Sequence, residues 1–162
     1  WHHREVTATV ELEEPTCRIV SERNVIVAVW RDAPTVSQIR AVTRVGRARR
    51  AIHQDGVVLV NIIVSGTPSF PEEVREEIKK IYQANLFSLG ACHVVLVPGL
   101  AGVATRAFLG TVSLLRRTNN PSRIVGDLES ALLWVQSCAT ASGESWRQAE
   151  LVELFGHARG AA

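Results

Sequence analysis

The 162-residue chain carries 18 basic and 16 acidic residues for a net charge of +2, with 46% hydrophobic and 21% charged positions. That length makes one domain, with a core large enough to fold without metal or disulfide staples. The balanced charge argues against a nucleic-acid partner held by phosphate attraction, and no apolar run reaches the length of a membrane span.

Residues 1–4, Trp1-His2-His3-Arg4, lack the apolar core of a signal peptide and read as a tag-like or disordered start, which leaves the cytoplasm as the default location. Val6, Ala8, Val10 and Leu12 alternate with polar residues, the pattern of a half-exposed edge strand that Pro15 ends. Cys17–Ser21 reads as a second strand, and Glu22-Arg23-Asn24 turns the chain into Val25–Trp30, which is apolar on both faces. A strand of that kind belongs in the middle of a sheet covered by helices. Thr35-Val36-Ser37-Gln38 is a capping box opening a helix. On that helix Ile39, Val42 and Val45 share one face, while Arg40, Arg44 and Arg47, with Arg50 beside them, share another.

Val57–Val64 reads as the second central strand, followed by a Ser65–Pro68 loop. Ser69-Phe70-Pro71-Glu72 matches a second capping box, with Ser69 as the cap of a helix that buries Val74, Ile78 and Ile81. His93–Val97 is the third central strand and Pro98–Gly102 the loop after it. Val103–Arg117 reads as a helix with Phe108, Leu109, Val112 and Leu115 inward. Arg123–Val125 is a short last strand, and Asp127 caps a helix that runs to Cys138. Residues 139–162 read as a linker and a C-terminal helix, Ser145–His157, with three options: packing on the domain, fraying or binding a partner.

Strands alternating with helices imply right-handed crossovers. The expected fold is therefore α/β: one domain over residues 5–138 whose mixed, mostly parallel sheet has an N-terminal antiparallel edge and four to five flanking helices. Cys17, Cys92 and Cys138 form no C-x-x-C pair, so they read as unpaired thiols, consistent with a reducing compartment. No cofactor motif is present. Of His53, His93 and His157, only His157, four residues after Glu153, has a ligand-type neighbour at metal spacing, and His2 and His3 are terminal, so no metal site is assigned. No G-x-S-x-G occurs, and Cys92 and His93 are strand neighbours that point to opposite faces, so no catalytic residue is assigned either.

In sheets of this type ligands collect at the C-terminal ends of the parallel strands. That rule selects Ser65, Gly66, Thr67, Ser69, Gly99, Leu100, Gly102 and Arg106 as partner- or ligand-binding candidates. Arg31, Asp32 and Gly126-Asp127 lie at the other strand ends. Ser65 and Thr67 are phosphorylation candidates, because phosphate there would sit at a helix N-terminus. The stripe Arg40, Arg44, Arg47 and Arg50 suits acidic partners or lipid head groups. It lacks the interleaved aromatics of a single-stranded nucleic-acid groove.

The order of Val25–Trp30, Val57–Val64 and His93–Val97, closed by Arg123-Ile124-Val125-Gly126-Asp127-Leu128-Glu129-Ser130-Ala131-Leu132-Leu133-Trp134-Val135, resembles the STAS domain (sulfate transporter and anti-sigma-factor antagonist), within the group that shares a fold with SEC14-type lipid-binding domains. The resemblance covers roughly residues 5–138. It implies a non-enzymatic regulatory module that docks on a kinase, phosphatase or anti-sigma factor, with homodimerisation as an option. The family's phospho-switch places a Ser or Thr after an Asp, and the matching Ile62–Ser69 segment has hydroxyls but no such Asp. Two other readings stand beside it. One is a small-ligand or lipid-binding module whose pocket lies between the sheet and the helices Val103–Leu115 and Leu128–Val135. The other is a small hydrolase or nucleotide-using enzyme. An apolar cavity favours the first of these, and a solid core sinks it.

Overall fold

The computed structural model describes residues 4–66, 69–114 and 120–160. Six strands form one sheet in sequence order: β1 (Thr9–Glu13), β2 (Cys17–Glu22), β3 (Val25–Trp30), β4 (Val58–Ile63), β5 (Gly90–Val95) and β6 (Ser122–Val125). β1, β2 and β3 pair antiparallel, and β3 to β6 run parallel. The α/β class and the antiparallel edge are those expected from the sequence. The helices are α1 (Val36–Ile52), α2 (Glu72–Gln83), α3 (Gly99–Leu114), α4 (Leu128–Thr140) and α5 (Gln148–Arg159).

Each parallel strand neighbours the next in sequence, so successive right-handed crossovers through α1, α2 and α3 keep all three on one face. α4 and α5 cover the other. Period two along the strands sorts the side chains accordingly. Val27, Val29, Val60, Ile62, Cys92 and Val94 meet α4 and α5. Ile26, Ala28, Trp30 and Leu59 meet α1 and α2. Cys92 and His93 thus do lie on opposite faces.

Several local expectations are corrected. The first strand starts at Thr9, not Val6, and a bulge between Val10 and Leu12 breaks its alternation, leaving Val10 exposed. The Thr35–Gln38 capping box is present, with Gln38 also reaching Glu14 and Thr16. Ser69, however, caps nothing: α2 begins after Pro71, which has no side-chain cap. A cap at Ser69 would need helical backbone at Phe70, which the following proline disfavours. β5 begins at Gly90, three residues before the expected start.

The expected Gly99–Gly102 loop is the first turn of α3. Gly102 is what permits that start, because a Cβ there would lie 1.9 Å from the Val97 carbonyl oxygen. The end of this helix at Arg117, the Val112 side chain and Leu115 lie outside the described residues. Of the three options for the C-terminal helix, packing holds: Leu151, Leu154, Phe155 and Ala158 are buried in the core with α4.

A candidate ligand cavity under α1, α2 and α3

The cavity opens between the sheet and the three crossover helices, with a volume of about 110 Å³. Its floor is the outward row of the central strands, Trp30 on β3, Leu59, Asn61 and Ile63 on β4, and His93 on β5. α1 supplies Ile39 and Val42, α2 supplies Ile78, Ile81 and Tyr82, and α3 supplies Thr105 and Leu109. The expected pocket partner Leu128–Val135 belongs to α4 and packs on the opposite face, so that part of the expectation is corrected. The α3 part stands.

A polar chain crosses the floor. Trp30 Nε1 donates to Asn61 Oδ1 at 2.9 Å, and Asn61 Nδ2 lies 3.3 Å from His93 Nδ1. The indole N–H can only donate, which fixes the amide oxygen toward Trp30 and the amide nitrogen toward His93. His93 Nδ1 is therefore the acceptor, and the ring is the tautomer with its proton on Nε2.

The mouth lies at the strand ends, as the topology rule requires. Asp32, Ala33 and Pro34 follow β3, Ser65 and Gly66 follow β4, and Phe70 leads into α2. Gly66 has φ +102°, and a Cβ on it would stand 2.7 Å from Asp32 Cα, so the two loops close on each other only with glycine there. Ser65 Oγ donates to the Arg31 carbonyl at 2.7 Å, and Thr105 Oγ1 donates to Ala101 O at 2.8 Å. Phe70 and Phe108 meet edge to face at 5.2 Å, tying α3 to the mouth.

Of the residues singled out from sequence, Ser65 and Gly66 are at the cavity with Asp32. Thr67 lies outside the described residues. Ser69 is exposed, and Gly99 and Leu100 are exposed on the first turn of α3, with Leu100 at 88%. Gly102 is buried and Arg106 half-buried, and neither lines the cavity. Asp127 is a helix cap: the backbone N–H and then the hydroxyl of Ser130 hold its carboxyl below the usual range. The arginine stripe is divided. Arg40 pairs with Glu77 at 3.2 Å and Arg50 bonds Ser88, while Arg44 and Arg47 stay exposed. No group of three or more candidate metal ligands occurs among the described residues. Burial pushes the Cys17 and Cys92 thiols up to about 12, which makes both poor nucleophiles. No described helix is long and apolar enough to cross a membrane.

Sequence reading passed over Asn61 as a site residue and took His93 as structural. The signal was present: Asn61 is the one polar residue between Val57 and Val64, and it shares its face with Leu59 and Ile63. Compared with family models, with curated proteins and with solved structures, the chain finds no match in any of the three.

Proposed function

We propose that the chain is a cytoplasmic binding domain for a small, largely apolar molecule, acting by recognition and not by catalysis. The observation that carries this reading is the cavity. Its volume of about 110 Å³ is close to the roughly 150 Å³ of an engineered apolar cavity that holds benzene. Burying a ring of roughly 150 Å² gains about 4 kcal/mol, much of it offset by the ligand's lost freedom. Dissociation constants on the order of 1 mM or weaker are therefore expected for simple probes. Binding is favoured over turnover because the Ser65 and Thr105 hydroxyls commit their protons to main-chain carbonyls, so neither is set up as a nucleophile by His93. The buried, unpaired cysteines suit a reducing compartment.

Toluene titrated into ¹⁵N-labelled protein is expected to shift the Trp30 indole and the amides of Asn61, His93 and Thr105. The variant Leu109→Trp, which fills the space, is expected to abolish those shifts. Shifts scattered over the surface, or unchanged in the filled variant, would remove the reading.

A second reading, regulatory docking on a protein partner in the manner of STAS-type antagonists, is favoured by one observation. Leu100 and Val103 are exposed at 88% and 53% on α3, the helix that closes the cavity. It predicts a partner from native lysate whose capture is lost with Leu100→Asp but kept with Leu133→Asp, at an exposed position on the opposite face. Equal loss in both variants counts against it.

A further inference from the structure

An asparagine side chain has two N–H donors and two carbonyl lone pairs. On Asn61, Trp30 Nε1 donates to one lone pair at 2.9 Å, and one N–H is given to His93 Nδ1 at 3.3 Å. One donor and one acceptor remain. Trp30 and His93 belong to β3 and β5, the strands on either side of β4, so the two bonds use the amide groups that point sideways across the sheet. A planar amide held that way keeps its other N–H and lone pair side by side, on the edge farthest from Cβ. On a strand that edge stands off the sheet, here toward the three crossover helices. Asn61 is half-buried although its strand is central, and the surface it keeps is that of the cavity floor.

The other polar groups of the lining are placed or committed differently. Ser65 and Asp32 are exposed at the mouth, and Thr105, 2% exposed, gives its proton to Ala101 O. Tyr82 and His93 hold further contacts of their own. Beside Asn61 the floor is apolar, with Leu59 and Ile63 two residues away on the same face. A wholly apolar guest fills that space but strips water from the amide edge without replacing it. A guest with a donor beside an acceptor replaces both bonds at once. Resting on the ligand-binding reading above, we propose that the cavity takes a one-ring molecule bearing a carboxamide-type edge, and that Asn61 selects it by pairing amide to amide.

The test is a titration of the intact chain with benzamide, acetophenone and toluene, read by NMR at the Trp30 indole and at the Asn61 side-chain amide. Acetophenone has the shape of benzamide with a methyl in place of the amino group, so it accepts from Asn61 but cannot donate to it. Benzamide and acetophenone are expected to shift the Trp30 indole and to move the Asn61 amide proton downfield of its position with toluene. One hydrogen bond gained in exchange for water corresponds to about a two- to tenfold change in affinity. The ratio of benzamide to acetophenone affinity is therefore expected to fall several-fold in Asn61→Leu, while toluene binds the variant at least as well. An Asn61 amide proton that benzamide leaves where toluene does, or an unchanged ratio in the variant, overturns the amide pairing and leaves the cavity reading standing. The first of these is read in the unaltered protein, so the decision does not depend on the variant folding. No shift of the Trp30 indole with any of the three removes the cavity reading and this assignment with it.

Discussion

The two faces of the sheet are built from the same strands yet finished in opposite ways. Under α4 and α5 the sheet meets a layer of fully buried side chains, with a polar network among them. Asn24, fully buried, donates to Ala139 O and Ser142 Oγ at 3.1 Å each and accepts from Trp146 Nε1 at 2.8 Å. The Arg23 guanidinium stacks 3.5 Å from the Trp146 ring centre and lies 3.4 Å from Glu150. Under α1, α2 and α3 the same sheet carries a cavity, crossed by a looser polar chain and closed by a helix with exposed apolar residues. One face holds the fold together, and the other has room for a guest. On the binding reading proposed above, stability and recognition are assigned to opposite sides of one sheet.

Paired substitutions break or sharpen that contrast, and the largest effect is expected from leucine truncation. Leu154→Ala, at a fully buried position of α5, removes contacts on every side and is expected to cost about 3–4 kcal/mol. Leu109→Ala, on α3, enlarges a space that already exists and loses fewer contacts, so about 1–2 kcal/mol is expected. Denaturant melts of both decide the matter, and equal costs would mean that the α3 side is packed as tightly as the other.

Next in size are the two buried asparagines. Asn24→Leu strands the buried Trp146 N–H, while the Ala139 carbonyl keeps the Ser142 hydroxyl as its donor, and is expected to cost about 2 kcal/mol. Asn61→Leu strands the Trp30 N–H beside a cavity that opens to solvent, where water can take over, so less than about 1 kcal/mol is expected. The second substitution should also shift the Trp30 indole resonance. A reversed order of the two costs would contradict the division of roles.

Most of this architecture was legible in the chain, for reasons that also explain what was not. Val25–Trp30 and Val57–Val64 are apolar on both faces, which only a covered central strand tolerates, so the layers followed from local pattern. The start of α3 did not follow. Glycine at 102 looks like loop chemistry until Val97 is seen against it, a contact that exists only once strand and helix are docked. Ser69 matched a cap by spacing, but Pro71 vetoed it. The site was half legible. Ser65, Gly66 and Asp32 sit at strand ends, where topology alone directs attention. Trp30, Asn61 and His93 come together only through register, with Ala28, Asn61 and His93 aligned across three strands, and register is not written in any one of them.

The smallest expected effect is a pH dependence confined to the closed face. Burial raises the cost of the Glu150 charge. Against it, the Arg147 N–H at 2.8 Å, the Arg147 guanidinium and that of Arg23 hold the carboxyl below its usual range. A carboxyl whose folded value is lowered binds its proton more readily in the unfolded chain. Its contribution is therefore present above the ordinary glutamate value of about 4.3 and is lost as pH falls through the folded value. Stability measured between pH 6 and pH 3 should decline through this carboxylate among others. In Glu150→Gln the decline should be shallower by up to about 1 kcal/mol, because the amide side chain keeps a carbonyl for the Arg147 N–H but has no charge to lose. The Trp30 indole resonance should follow the same pH course in both proteins, since Glu150 lies on the face away from the cavity. An acid response of Trp30 that disappears in Glu150→Gln would mean that the two faces are coupled through the sheet.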